Sequence, residues 1–176
     1  MILLISTCSE KLSEEEFVKP IAAIVGKDAL VMHFSNIKQK NLEDCEKIII
    51  CGTALGDNEY LKEIIKFQWI KDIKKPILGI CSGMQIIALQ FGGKIIKNKE
   101  IGMANIKIKK PNKLFSADFE AYELHGKGLK NLASFKILAE SGKGVQAIKH
   151  KEKEIYGIMF HPEVRNEQIV KNFLSL

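Results

Sequence analysis

The 176-residue sequence has no apolar run approaching the ~18 residues needed to cross a bilayer, and its first residues, "MILLISTCSEK", carry neither a basic leader nor a small-residue cleavage site. No membrane association is expected, and the chain reads as a cytoplasmic protein. Cysteine is sparse: Cys8, Cys45, Cys51 and Cys81 show no C-x-x-C spacing and no nearby histidine pairs, so neither a zinc cluster nor a disulfide framework is indicated. Aromatic residues are only 7% of the chain and do not interleave with the basic ones. The net charge of +6 is instead spread as lysines along the whole length, "KNKEIGMANIKIKKPNK" (97–113) included, which reads as solvated strand edges and not as a nucleic-acid surface. Repeats, low-complexity stretches and linkers are also missing, so one domain over residues 1–176 is expected.

What is present is alternation. Short apolar runs recur at 1–6, 29–34, 47–51 and 76–80, and segments of helical character lie between them at 13–25, 58–71 and 83–91. That pattern predicts a mainly parallel sheet with helices on both faces. From about 94 to 150 the character changes to short runs such as "ANIKIKK" and "FEAYELH" separated by Gly, Asn and Lys, which predict an added antiparallel hairpin region. A buried strand at 154–160 and a closing helix at 166–175 complete an α/β three-layer reading.

One stretch carries chemistry. "PILGICSGMQIIALQ" places Cys81 between a strand and a helix with Gly79 and Gly83 on either side. A sharp strand-to-helix turn brings backbone segments together where a Cβ would clash, which is the need those glycines meet in a nucleophile elbow. The helix that follows would aim free N–H groups at the thiol and favour an anion there. The bland alternative is a small buried thiol at a strand end.

A cysteine nucleophile needs a base, and the base needs an orienting acceptor. Of four histidines, His33 lies in a strand-like run and His150 among lysines at an apparent turn. His125, in "AYELHGKG", reads as a loop tip that lines a pocket or ends a hairpin, without a sequence-adjacent carboxylate of the His-Pro-Glu kind. His161 differs: "YGIMFHPEV" sets it at a strand end, with rigid Pro162 next and Glu163 two residues on, able to bond the second ring nitrogen. A surface turn is the alternative for "HPE" taken alone; together with Cys81 the motif reads as part of a triad.

"PILGICSGMQIIALQFGGKI" and "IYGIMFHPEV", eighty residues apart from cysteine to histidine, together resemble the class I (triad-type) glutamine amidotransferases, whose pattern is G-[IV]-C-x-G-x-Q followed by H-P-E. The likeness runs from about residue 47 to the C-terminus, and "FKILAESGKGVQAIKHKEKEIYGIMFHPEV" is most similar to the separate amidotransferase subunits of archaeal-type GMP synthases. The resemblance implies a flavodoxin-like fold and hydrolysis of the glutamine side-chain amide. Cys81, His161 and Glu163 would be the catalytic residues, and the backbone of Gly52 and Ser82 the oxyanion hole. Gln85, Leu124, His125 and Gly126 would bind substrate. It also implies an ATP-dependent synthetase partner that receives the ammonia, and no metal or organic cofactor.

The chain departs from the family pattern in three places. "CGTALGD" has Cys51 and Thr53 where the family loop has its first glycine and its proline, "STCSEK" replaces an Asp-x-Gly-x-Gln start, and "ELHGKG" replaces a Ser-His-x-Asp-x-Val loop. These leave two other readings open: a stand-alone Cys-His-Glu hydrolase of γ-glutamyl or other amides, and a non-catalytic amidotransferase-like binding protein. Cys8, Cys45 and Cys51 are read as structural thiols.

Overall fold

Successive side chains of a strand point to opposite faces of its sheet, so a continuous apolar run demands cover on both. The computed structural model, which describes residues 1–176, meets that demand with nine strands in one sheet. They are β1 (Ile2–Ser6), β2 (Ala29–His33), β3 (Lys47–Ile50), β4 (Ile77–Ile80), β5 (Lys94–Ile108), β6 (Phe119–Lys130), β7 (Phe135–Ser141), β8 (Gly144–His150) and β9 (Ile155–Ile158). Their spatial order is β2-β1-β3-β4-β9-β8-β7-β5-β6.

The six helices fall on the two faces. α1 (Ser13–Phe17), α2 (Lys19–Val25) and α6 (Glu167–Leu174) cover one; α3 (Gln39–Asp44), α4 (Glu59–Lys62) and α5 (Ser82–Gln90) cover the other. The alternation is visible residue by residue: Leu4, Ile49, Leu78 and Ile158 enter the first core, and Leu3, Ile48, Ile77 and Ile155 the second. Helices on both faces of the sheet are therefore as the sequence predicted.

The predicted strand balance is not. Four strand pairings are parallel (β1–β2, β1–β3, β3–β4 and β4–β9), and the other four are antiparallel. The sheet is thus mixed, not mainly parallel, because residues 94–150 form a full antiparallel half and not an appended hairpin. Within it, the runs read as separate short strands merge into the fifteen-residue β5, with a bulge between Lys97 and Glu100.

Two predicted helices also change form. The segment 13–25 breaks at Val18, since Pro20 has no N–H with which to continue a helix from α1. The segment 58–71 becomes the single turn of α4 followed by a 3₁₀ stretch, Ile64–Lys71. Ile64, Phe67, Ile70 and Ile73 all pack on the second core, and their spacing of three residues matches a three-residue turn.

The tightest packing lies where α5 crosses the sheet. A Cβ built on Gly83 would sit 2.2 Å from the Ile50 carbonyl oxygen, and one on Gly79 would sit 2.4 Å from the backbone of Gly83. Neither obstacle is a flexible side chain. Gly83→Ala is expected to cost about 2 kcal/mol and lower Tm by roughly 4–8 °C, measured by thermal unfolding followed by circular dichroism. Gly56→Ala, where nothing lies within 4 Å of the added carbon, is the control and should change stability by less than ~0.5 kcal/mol.

Candidate active site

Cys81 sits on the corner between β4 and α5 with φ 49° and ψ −103°, a backbone region that non-glycine residues occupy only under constraint. The constraint is visible. Its N–H donates to the Ile158 carbonyl of β9 at 2.8 Å, its carbonyl accepts the first α5 bond from the Gln85 N–H at 3.1 Å, and Gly79 and Gly83 pack against each other beneath it. The side chain points toward β6, where the thiol meets the Leu124 carbonyl at 3.8 Å. Ser82 opens α5, so its N–H belongs to the first turn, which has no partner within the helix.

His161 lies just beyond β9 and is pinned by its own N–H, which donates to the Tyr122 carbonyl of β6 at 2.9 Å. The ring is buried, with Phe17 at a centroid distance of 5.4 Å. Nδ1 lies 2.8 Å from Glu163 Oε1, which leaves Nε2 as the ring nitrogen without a hydrogen-bond partner. Burial by itself would weaken the base. The negative charge available at Cys81 and the hydrogen-bonded Glu163 carboxylate more than offset it, and the ring's pKa stands well above the ordinary 6.5.

The loop after β3 brings Gly52 into the same space. A Cβ on Gly52 would lie 2.9 Å from His161 Cε1 and 3.5 Å from Cys81 Cβ, so the three residues converge on one point that only a glycine leaves open. The altered residues of "CGTALGD" hold this loop in place. Thr53 Oγ1 donates to Asp57 Oδ2 at 2.5 Å, and the same oxygen accepts the Ser9 N–H at 3.0 Å. A side-chain clamp thereby stands where the family pattern has a rigid proline.

The unusual N-terminal "STCSEK" contributes further braces. The Cys8 thiol reaches the Gly52 carbonyl at 3.8 Å, and the hydroxyls of Thr7 and Ser82, 2.9 Å apart, both approach the Cys51 carbonyl at 3.2 Å. Two hydroxyl protons serve these three contacts, so one hydroxyl donates to the other and the second donates to the carbonyl. Cys51 itself is wholly buried, and burial holds its thiol well above 9, in the neutral form. Cys8 and Cys45 are likewise buried thiols with no disulfide.

A small cavity of about 20 Å³ opens beside Cys81, lined by Thr53, Tyr60, Gln85, Leu124 and Gly126 among others. Every residue expected to bind substrate reaches it. Gln85 does so with its side chain already engaged, Oε1 accepting from the Tyr60 hydroxyl at 2.6 Å and Nε2 directed at the Lys127 carbonyl at 3.5 Å. Burial pushes the Tyr60 phenol up, so it remains a donor. Tyr60 was missed by sequence reasoning because it lies inside a segment read only as helix.

The expectation for His125 needs two corrections. It is not at a loop tip but midway along β6, paired with Glu100 of β5. Its neighbour Gly128 signals a turn in sequence, yet serves a close approach: a Cβ there would meet Asn98 of the β5 bulge at 2.9 Å. His125 also has a carboxylate at a spacing of two, on the other side: Glu123 Oε2 lies 3.2 Å from Nε2. Period two along a strand put them on one face. His33 and His150 stay apart from the site, the first bonded to Ser35 and the second accepting the N–H groups of Glu152 and Lys153 in a turn.

Fold and site together define a class: an α/β protein with an elbow-borne thiol facing a buried histidine–carboxylate pair at one edge of the sheet. Comparison with known proteins makes the class specific. The family model for class-I glutamine amidotransferases matches residues 23–175, and the chain belongs to that family. Among curated relatives, the glutamine-hydrolysing GMP synthase subunit of Thermoplasma volcanium is 32% identical over 154 residues, covering 81% of this chain and 76% of the relative. The corresponding protein of Methanococcus aeolicus is 43% identical over 156 residues, covering 74% and 83%. Among solved structures, a Thermoplasma acidophilum protein described as a GMP synthase subunit superposes with TM-score 0.86 at 27% identity, covering 99% of this chain and 92% of that one. A Thermotoga maritima glutamine amidotransferase shares the fold with TM-score 0.73 at 22% identity, covering 99% and 81%.

The raised pKa of His161 has a consequence for stability. The folded chain keeps a proton that the unfolded chain sheds above pH 6.5, so the contribution is complete below 6.5 and is lost as pH rises through the folded value. The Tm of the wild type should therefore fall between pH 6.5 and 9 more steeply than that of His161→Asn, by differential scanning calorimetry across that range. Equal slopes would show that the ring carries no such proton.

Proposed function

We propose that this chain is a glutaminase working as the amidotransferase subunit of a GMP synthase, and that residues 1–176 act as one cytoplasmic domain. The observation that carries the reading is the convergence of Cys81, His161 and Gly52 on one point beneath an intact His161–Glu163 pair, in a chain of this family. The parallel strand order β2-β1-β3-β4-β9 supports the flavodoxin-like description, since it is the 2-1-3-4-5 order of that fold. No helix is long and apolar enough to cross a membrane.

In this mechanism the Cys81 proton passes to His161 Nε2 before attack, and the thiolate of the resulting ion pair attacks the glutamine carboxamide carbon. The N–H groups of Gly52 and Ser82 receive the oxyanion of the tetrahedral intermediate. Collapse breaks the C–N bond, the imidazolium returns its proton to the departing nitrogen, and ammonia leaves a γ-glutamyl thioester on Cys81. Water then attacks the thioester with its proton taken by His161, and glutamate departs as the thiol is restored. Glu163 holds the ring tautomer and offsets the imidazolium charge. Gln85 and the backbone of Leu124, His125 and Gly126 position the amino acid. No metal or organic cofactor enters a step.

The relatives named as glutamine-hydrolysing GMP synthase subunits motivate the partner: an ATP-dependent synthetase that consumes the ammonia. Glutamine hydrolysis, followed as ammonia release with the synthetase and its substrates present, should vanish in Cys81→Ala while the far-ultraviolet circular dichroism stays that of the wild type. Glu163→Gln should keep binding glutamine but lose about 10²–10⁴-fold in kcat. Wild-type rates in Cys81→Ala would overturn the reading.

A further inference from the structure

Beside the catalytic residues, β5, β6 and β8 bury a second polar cluster that the glutaminase mechanism does not use. Glu100, Glu123, His125 and Gln146 are 7%, 0%, 2% and 1% exposed. Register places Glu100 opposite His125, and Glu123 follows on the same face two residues earlier in β6. The three acid and imidazole donor atoms all lie within 4.8 Å of one another.

The cluster leaves several buried acceptors unpaired at its centre. His125 Nδ1 lies 3.1 Å from the Asn98 carbonyl. A carbonyl only accepts, so Nδ1 carries the hydrogen and Nε2 presents its lone pair inward. Glu100 Oε2 is oriented by the Ser141 hydroxyl at 3.0 Å and the Gln146 amide at 2.9 Å. At the centre, His125 Nε2 and both oxygens of Glu123 have no hydrogen-bond partner, and Gln146 Oε1 has none either. The 3.2 Å approach of His125 Nε2 to Glu123 lacks hydrogen-bond direction. A buried carboxylate with neither oxygen satisfied is among the costlier arrangements a core can hold.

We propose that Glu100, Glu123 and His125 bind one divalent transition-metal ion of the zinc or cobalt type. Tetrahedral ligands about 2.0–2.1 Å from such an ion lie about 3.4 Å from each other. Nε2 is 3.2 Å from Glu123 Oε2 and 3.9 Å from Glu100 Oε2, on either side of that separation. Two carboxylates with one imidazole select borderline metals over calcium or magnesium, which take oxygen alone. Glu100 and Ser141 also line an open cleft of about 670 Å³ that provides an entry path. The ion would brace β6 at Leu124, whose carbonyl meets the Cys81 thiol, without touching substrate. The site stands independently of the glutaminase reading.

The test uses the full chain carrying Cys81→Ala, so that the elbow thiol cannot ligate metal. Titration with Co²⁺ should give one equivalent with visible ligand-field bands and no near-ultraviolet thiolate charge-transfer band, and Zn²⁺ should displace it. Glu123→Gln and Glu100→Gln should each weaken Co²⁺ binding by at least ~10-fold while the metal-free far-ultraviolet circular dichroism stays that of the parent. Zn²⁺ should raise Tm in the parent and not in Glu123→Gln. Failure of the parent to bind either ion, or retention of the parent's affinity in both carboxamide variants, would overturn the proposal.

Discussion

The site depends on one steric constraint: the backbone of α5 lies so close to β3 and β4 that only glycine fits at positions 79 and 83. That contact bends the chain sharply enough to force Cys81 to φ 49° and to lift its thiol over the end of β4. The strain, of order 1–3 kcal/mol, is held by main-chain bonds to β9 and by the packing of Met84, Ile86 and Ile87 in the second core. The same parallel pairing of β4 with β9 sets His161 at the neighbouring strand end. Cys81 and His161 are thus positioned by a single stretch of ladder.

The electrostatics follow from this placement. A histidine as buried as His161 would ordinarily resist protonation, and here its proximity to Cys81 and its hydrogen bond to Glu163 reverse that preference. Phe17 packs against the His161 ring, and the clamped Gly52 loop closes on its Cε1. The Thr53–Asp57–Ser9 clamp and the Cys8–Gly52 contact show that a loop lacking the family's proline can be held by side chains from the N-terminal segment.

Much of this was legible in sequence, but unevenly. G-x-C-x-G and H-P-E are local devices, and their geometry depends on neighbours one to three residues away, so Cys81, His161 and Glu163 could be read directly. The parallel strands and their two-sided burial followed from uninterrupted apolar runs. Residues 94–150 were misjudged in extent because alternating Lys and Ile looks the same in a short hairpin and in a fifteen-residue strand; only the register on either side of the bulge, Lys97 with Lys127 and Glu100 with His125, reveals one continuous ladder. His125 was read as a loop residue for the same reason. Its glycine neighbours signal a turn, whereas Gly128 serves the close approach of Asn98 from β5.

By itself the sequence determined which groups are candidates for the chemistry and which elements bear them, since elbows, strand ends and alternation are written within a few residues. Tertiary structure alone decided what those groups meet. The bracing of Gly52 by residues 7–9, the engagement of Gln85 by Tyr60, and the gathering of Glu100, Glu123 and His125 in one buried cluster all join positions far apart in the chain or across a strand pair. Such contacts depend on register and on the crossing of helix over sheet, and no local pattern of residue types encodes either.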